Sequence, residues 1–431
     1  MSSPDSASLS GPALDVREVR LENGLRLLFL PDPAVPVFTI MLWVPAGART
    51  EPRGLSGISH YLEHCYSLGS RKLAPREIDR LVQRLGGSKN AFTDYDCTAY
   101  YESLPSSALE TIVEVEADRL GGLLLPEERL RSELDVVREE RRLRTDDSVG
   151  GYLHEKLLAL AYERHPYGRP IIGTPEDLAA MNREKVLAYY RAHYVPSNVR
   201  YVLVGDFEPA RAEELFRRHF GAIPAGAPPR VEIEREPEQR AERRARFTKE
   251  GARLPRLTVL WKTVGIDDED AVALAVLEVA LAHGDASRFE RVLRRERQLV
   301  TDHAVDYWAL ADASPFTYRA EAQPGVELEA IEEAALGIFD DVARSGPKER
   351  EVERAKKQIE LAFLTGLEST GARARAIGRY ATLSRRGWRY LLDYLEKVRA
   401  IGPDDLRRAA ACYLVPERRT VVHLYPPELP A

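Results

Sequence analysis

The sequence predicts an α+β protein of two similar domains, each an antiparallel-rich sheet packed with helices. Three observations predict it. Strand patterns come in hairpin pairs with helices grouped between them, unlike the strict alternation of a parallel βαβ series. A stretch from Ala222 to Pro237, holding Pro224, Pro228, Pro229 and Pro237, divides the chain near its middle. Beyond it the order of strands, long helices and a closing strand starts again, as a duplication would leave it. The boundaries read as 14–225 for the first domain, 226–240 for the linker and 241–431 for the second. At 431 residues the chain is long enough to give both domains a core.

The elements follow from local pattern. Arg17, Val19 and Leu21 alternate, Glu22-Asn23-Gly24 turns, and Leu25 to Leu30 returns as a second strand. Pro36 to Val44 is a further apolar strand, and the loop from Pro45 to Gly54 leads into a short helix. Pro75 to Leu85 has helical periodicity and stops on Gly86-Gly87, where a left-handed residue is needed. Asn90 to Leu104 alternates like a strand pair. Helical patterns cover Ser107 to Leu125, Pro126 to Arg144, Gly151 to Tyr162 and Arg183 to His193, before a strand from Arg200 to Asp206. After the linker come a strand at Leu257 to Thr263, helices at Asp270 to Ala282 and Arg288 to Arg297, and strands near Ala304 to Leu310 and Thr317 to Ala322. Helices at Glu327 to Arg344, Glu349 to Leu367, Ala372 to Leu383 and Asp404 to Tyr413 precede a last strand, Thr420 to Tyr425.

Composition removes several function classes. Hydrophobic content of 44% and charged content of 30% are those of an ordinary soluble protein. A formal charge of −6 gives no footprint for nucleic acid or an anionic membrane. Cys65, Cys97 and Cys412 are scattered, which argues against a disulfide framework or a cysteine zinc knuckle. Met1 to Ala13 lack a positive start and an apolar run, and no segment reaches eighteen uninterrupted apolar residues. A cytoplasmic protein without signal peptide or membrane span is the expectation.

The chemistry is concentrated in Gly57-Ile58-Ser59-His60-Tyr61-Leu62-Glu63-His64. Histidines at i and i+4 sit about 40° apart around a helix, so both imidazoles can reach one point. Glu63 lies about 60° to the other side of His60, while Ile58, Leu62 and Cys65 can anchor the helix to a core. His-x-x-Glu-His inverts the order of the zinc-peptidase motif in which glutamate directly follows the first histidine. With 9 His and 68 Asp plus Glu, chance would supply this spacing roughly 0.03 times per chain. The expectation is Zn²⁺ on the histidines, with Glu63 as the base of a zinc-activated water.

A catalytic zinc site takes three protein ligands and keeps a position for water. No third histidine follows closely, since the next is His154, so the acidic helix after Pro126 is the place to look. Leu130, Leu134 and Val137 mark its buried face. Measured from that face, Glu140 falls at about −80° and Glu133 at about −60°, both at its margin, whereas Glu139 points to solvent. Glu140 is the better ligand candidate, with Glu133 as a supporting neighbour behind it.

These residues resemble the pitrilysin-type (inverzincin) metallopeptidases, in particular the short two-domain branch related to mitochondrial processing peptidase. The resemblance runs from Val16 to about Tyr425. It rests on His60, Glu63 and His64, on Gly86-Gly87-Ser88-Lys89-Asn90-Ala91-Phe92-Thr93, and on Asp96-Cys97-Thr98-Ala99-Tyr100-Tyr101. His165-Pro166-Tyr167-Gly168-Arg169-Pro170-Ile171-Ile172-Gly173 and Leu367-Glu368-Ser369 add to it. It implies a ligand glutamate some 76 residues after the second histidine, which is where Glu140 stands. It also implies that Asn90, Ala91 and Phe92 lie on an edge against which a peptide substrate adds as a strand. Read alone, Asn90 equally fits a turn, and Tyr100 and Tyr101 fit packing.

Complete members of this family resemble a Gly-rich turn, Ser-Arg-Leu, then a helix with an arginine seven residues before a tyrosine. That pair binds substrate and stabilises the oxyanion. Here the turn reads His283-Gly284-Asp285-Ala286-Ser287-Arg288-Phe289, Arg294 holds the arginine position, and Thr301 stands where tyrosine is expected. Threonine is too short to be a good oxyanion donor from the same backbone position, and Tyr307 fits packing in the following strand. The resemblance therefore implies the catalytic half of a heterodimer, whose homologous partner supplies the arginine–tyrosine pair. A homodimeric peptidase and a non-catalytic structural subunit of the same fold are the alternatives.

Overall fold

The computed structural model of the chain describes residues 14–427. The readings of Met1 to Ala13 and of the second domain's end at residue 431 fall outside those residues. Two mixed sheets organise the protein. In the first, β1 (Arg17–Arg20), β2 (Arg26–Pro31), β3 (Val37–Val44), β4 (Ser88–Thr93), β5 (Thr98–Pro105) and β6 (Arg200–Gly205) lie in the order β1-β2-β6-β3-β5-β4. In the second, β7 (Arg243–Thr248), β8 (Arg256–Lys262), β9 (Val300–Tyr307), β10 (Pro315–Ala322) and β11 (Arg419–Tyr425) lie in the order β7-β11-β8-β10-β9. The β2–β6 and β7–β11 pairs are parallel and the other pairs antiparallel. Setting β1 aside, the two orders match strand for strand, with the parallel pair at the same place. The restart legible in the sequence is a duplicated topology.

Helices of the first half are α1 (Ile58–Cys65), α2 (Glu77–Arg84), α3 (Leu109–Gly122), α4 (Glu127–Arg141), α5 (Val149–Ala161), α6 (Pro175–Ala179), α7 (Arg183–His193) and α8 (Pro209–Phe220). Those of the second are α9 (Asp270–Ala282), α10 (Leu328–Ser345), α11 (Glu349–Thr365), α12 (Thr370–Leu383), α13 (Tyr390–Ala400) and α14 (Pro403–Tyr413). Gly86 takes φ +76° just after α2, as the sequence reading of that stop requires. None of the described helices is long and apolar enough to cross a membrane.

β3 and β6 are near-continuous apolar runs, the pattern of strands covered on both faces. One face of the first sheet packs on α1, α3, α4, α7 and α8 around Leu27, Phe29, Phe38 and Ile40. Its other face is covered by α12 of the second half, whose Ala374 and Ile377 meet Met41, Trp43 and Val202. In return α5 of the first half lays Leu153, Leu157 and Leu158 on Leu260, Val422 and Leu424 of the second sheet. Each half thus lends a helix to the other. α12 lies so close to β3 that a Cβ at Gly378 would stand 1.9 Å from Trp43 Nε1, which leaves glycine the residue that fits.

Several boundaries differ from the patterns. The acidic helix ends at Arg141 and continues as a π-helical turn, Arg142–Asp146, and the expected helix from Arg288 is a π-helical segment, Glu290–Glu296. β9 begins at Val300 and already ends at Tyr307, which is buried. Strand β7 and helices α6, α8 and α13 are not among the elements expected from the sequence. In α8, Ala212, Leu215, Phe216 and Phe220 are buried, and in α13 Leu391, Leu395 and Val398. Both sets are helical spacings that the sequence carries. β7 hides its alternation in paired charges, for Arg243, Arg244 and Arg246 meet Glu236, Glu332 and Glu329.

The proline-rich stretch forms no helix or strand, yet it is tied down. Glu236 accepts hydrogen bonds from the backbone N–H groups of Glu163, Arg164 and His165 at 2.9–3.1 Å, and from Lys262 Nζ at 3.1 Å. Burial opposes its ionisation, but those donors hold its carboxyl down to about 2 from an ordinary 4.5. A depressed folded pKa means stabilisation present above about pH 4.5 and lost as pH falls towards 2. Glu236→Gln should therefore cost about 2 kcal/mol at pH 7 and flatten the acid limb of stability. Urea unfolding at pH 7 and through that window checks this, and equal stability of the two proteins at pH 7 would contradict it.

Candidate metal centre

Helix α1 is held in place before any metal is considered. Gly57 opens it at φ +89°, where a Cβ would meet Ile172 O at 2.6 Å. Gly173, at φ +90°, sits back to back with it. The Gly57 and Gly173 positions thus require glycine on both strands of this contact. The buried Glu51 carboxylate accepts from Gly57 N at 2.8 Å and Ser59 N at 2.9 Å, satisfying two amides at the helix start. Burial pushes the Glu51 carboxyl up to about 7 against those two donors. Ser59 Oγ bonds the Tyr189 hydroxyl at 2.8 Å, and Tyr61 OH donates to Leu130 O of α4 at 2.5 Å. Ile58, Leu62 and Cys65 are buried. Glu51 carries no sequence signal of its own, since its partners are backbone amides.

Helix α4 buries Leu130, Leu134 and Val137 and leaves Glu139 exposed against Arg142. Glu140 is on its inner margin, and its Oε2 lies 3.6 Å from His60 Nε2 and 3.2 Å from His64 Nε2. Among the described residues, His60, His64 and Glu140 are the one set of three His, Cys, Asp or Glu side chains whose ligand atoms all lie within 4.8 Å of one another. Glu140 Oε2 is buried and makes no hydrogen bond, while Glu140 Oε1 takes Arg144 Nη1 at 2.6 Å. An unpartnered buried carboxylate oxygen facing two imidazole nitrogens fits a bound cation. Arg144 lies in the π-helical turn after α4, four residues from Glu140, a spacing at which helical side chains meet.

Glu133 stands elsewhere than expected. It bonds His64 Nδ1 at 3.0 Å, with Arg76 3.5 Å from its other oxygen, and so supports His64 and not Glu140. The angles about α4 place both glutamates on one face but cannot say which neighbour each meets. A carboxylate on Nδ1 fixes the tautomer that leaves Nε2 free for a metal. Burial lowers the His64 pKa, but the Glu133 bond and the negative charge of Glu140 beside it outweigh that and raise it to about 9. That same negative field suits a cation. Burial and the neighbouring His64 bring His60 down to about 4, so it is neutral at pH 7 and ready as a ligand.

Glu63 is off the three-residue cluster. Thr93 Oγ1 of β4 donates to its Oε2 at 2.6 Å, and burial raises its carboxyl pKa against that bond. A cavity of about 1260 Å³ contains His60, Glu63, His64 and Glu140 in its lining, together with Asn90, Ala91 and Phe92. Those three lie in β4, at the edge of the first sheet, so Asn90 is a strand residue and not a turn. The Phe92 ring packs edge-on against Trp43 and under the Arg375 guanidinium. Tyr100 is buried behind the site. Arg294 and Thr301 are not brought to this cavity. Arg294 is exposed and 3.6 Å from Glu290, and Thr301 Oγ1 donates to Glu321 at 3.2 Å.

Glu51→Ala would leave two helix-start amides without partners. It should destabilise the protein by about 2–4 kcal/mol and weaken metal binding at least tenfold. Urea unfolding and competition with a chelating dye measure the two effects, and wild-type values in both would show that Glu51 does not hold α1.

Residues 27–175 match the family model described as insulinase (peptidase family M16), and residues 180–359 match the peptidase M16 inactive domain. The zinc protease PqqE of Helicobacter pylori is 29% identical over 412 residues, covering 95% of this chain and 92% of its own. The mitochondrial-processing peptidase subunit beta of Lentinula edodes is 25% identical over 409 residues, covering 91% of this chain and 86% of its own. A Helicobacter pylori protease of known structure superimposes with a TM-score of 0.91 at 28% identity, over 95% of this chain and 99% of that one. The chain belongs to the M16 family of metallopeptidases, in its two-domain form.

Proposed function

We propose that this chain is a zinc-dependent endopeptidase subunit that cleaves short or unfolded peptides. The convergence of His60, His64 and Glu140 beside Glu63 carries the reading. Two imidazoles and one carboxylate are a donor set for zinc with an open position. When bound, zinc polarises a peptide carbonyl and makes water acidic enough to lose a proton near neutral pH. Glu63 Oε1, left over from the Thr93 bond, takes that proton and returns it to the leaving amine. Burial keeps the Glu63 carboxyl poised above its ordinary range, which helps both transfers. Edge strand β4 offers backbone groups along which an extended peptide can pair, with Asn90, Ala91 and Phe92 as its contacts.

The oxyanion side is assigned to a second chain. Arg294 lies outside the cavity that holds the zinc ligands, and the Thr301 hydroxyl is already engaged by Glu321. A homologous partner carrying an arginine–tyrosine pair would complete the site, making this chain the catalytic half of a heterodimer. A homodimer of this chain would lack the tyrosine on both sides and should be slow.

Glu63→Gln should keep one zinc per chain and lose at least a hundredfold in kcat on a quenched peptide. Glu140→Ala should lose the zinc. Full activity with zinc retained in Glu63→Gln would remove the base assignment. Addition of a homologue bearing the missing pair should raise the rate at least tenfold. Full-rate cleavage by the chain alone would overturn the two-chain part and leave the zinc site standing.

A further inference from the structure

A second pocket, about 300 Å³, lies between α5 and the face of the second sheet that α5 covers. His154 and Leu158 line both this pocket and the cavity of the metal centre, so the two spaces share a wall. We propose that the pocket is a subsite of that cavity and takes an aromatic side chain of the peptide substrate. The proposal rests on the peptidase reading above.

The occupant follows from the lining. Leu153 and Leu157 of α5 make an apolar floor, and Trp308 closes one side. Trp308 is 41% exposed, whereas Trp43, Trp261 and Trp388 are buried. A large aromatic surface is thus left open at the pocket wall, where covering it is favourable. The rings of Trp308 and His154 stand 5.3 Å apart at 56°, a corner against which a third ring can pack edge or face. Charges at the mouth largely neutralise one another, with Arg256 on Glu321 at 2.7 Å and Arg319 3.5 Å from Asp306. Asp302 is the further acid there, which makes a basic side chain the competing occupant. The volume is at the low end for a ligand pocket and suits one side chain, not a whole ligand.

Gly150 offers a way to close it. It lines the pocket from the first turn of α5, and a Cβ there meets nothing within 4 Å. Gly150→Phe therefore fills the mouth without a backbone clash, and Trp308→Ala removes the wall.

The test uses zinc-loaded protein, in the assembly that cleaves, on quenched peptides identical except for one Phe moved through an Ala background. One register should give about tenfold higher kcat/KM than the all-Ala parent. In Gly150→Phe and in Trp308→Ala, each with wild-type zinc content, that ratio should fall to within twofold of one. No preferred register, a stronger preference for Lys than for Phe, or an undiminished ratio in both variants would overturn the subsite. If no peptide is cleaved, the peptidase reading fails separately, and Glu63→Gln protein titrated with the Phe and Ala peptides decides by tryptophan fluorescence. Phe-selective binding abolished by Gly150→Phe keeps the subsite, and equal binding of the two peptides overturns it.

Discussion

Two imidazoles from α1 and a carboxylate from α4, 76 residues later, must meet within 4.8 Å. Nothing about either helix alone brings that about. α1 is two turns long, too short to be stable by itself, and the surrounding chain fixes it at every side. Glu51 satisfies its first amides, Gly57 presses on Gly173, and Tyr61 reaches across to α4. Arg141, buried at the end of α4, ties that helix to Glu155 of α5 at 2.9 Å and to Gly173 O at 2.6 Å. The family landmark around Gly173 thereby has a physical reason. It is the surface against which α1 and the end of α4 that carries Glu140 are both positioned.

The same demand runs through the exchange of helices between halves. α5 hangs from the first half, lies on the second sheet and forms part of the cavity wall. α12 makes the opposite journey and presses Gly378 on Trp43. Relative movement of the sheets would drag at both helices and disturb an apolar layer on each side. Buried surface on both faces of β3 and β6 thus makes the cavity a property of the whole chain. The division at 226–240 separates the two sheets, not the layers that pack on them.

The most legible parts of the sequence were those in which one residue's chemistry depends on spacing alone. His60 and His64 are one turn apart, and the buried face of α4 singles out Glu140 and Glu133 from a run of acids. The repeated element order was legible too, because hairpin strands and long helices have distinct periods. What escaped depends on partners that no helical or strand period relates. Glu51 reads as an ordinary loop acid until its oxygens are seen on backbone amides. Glu133 serves His64 across 69 residues. β7 reads as a charged loop because each arginine finds its acid on another element. α8 and α13 are different, for their apolar spacing was present and readable.

The position of the metal decides more than any other single fact about this molecule. Anomalous diffraction at the zinc edge, on crystals of the wild-type chain purified with zinc, tests it directly. One strong peak per chain is expected, bonded to His60 Nε2, His64 Nε2 and Glu140 Oε2, with Glu133 on His64 Nδ1. A principal peak bonded to any other set of residues, or no peak in zinc-saturated crystals, would contradict it.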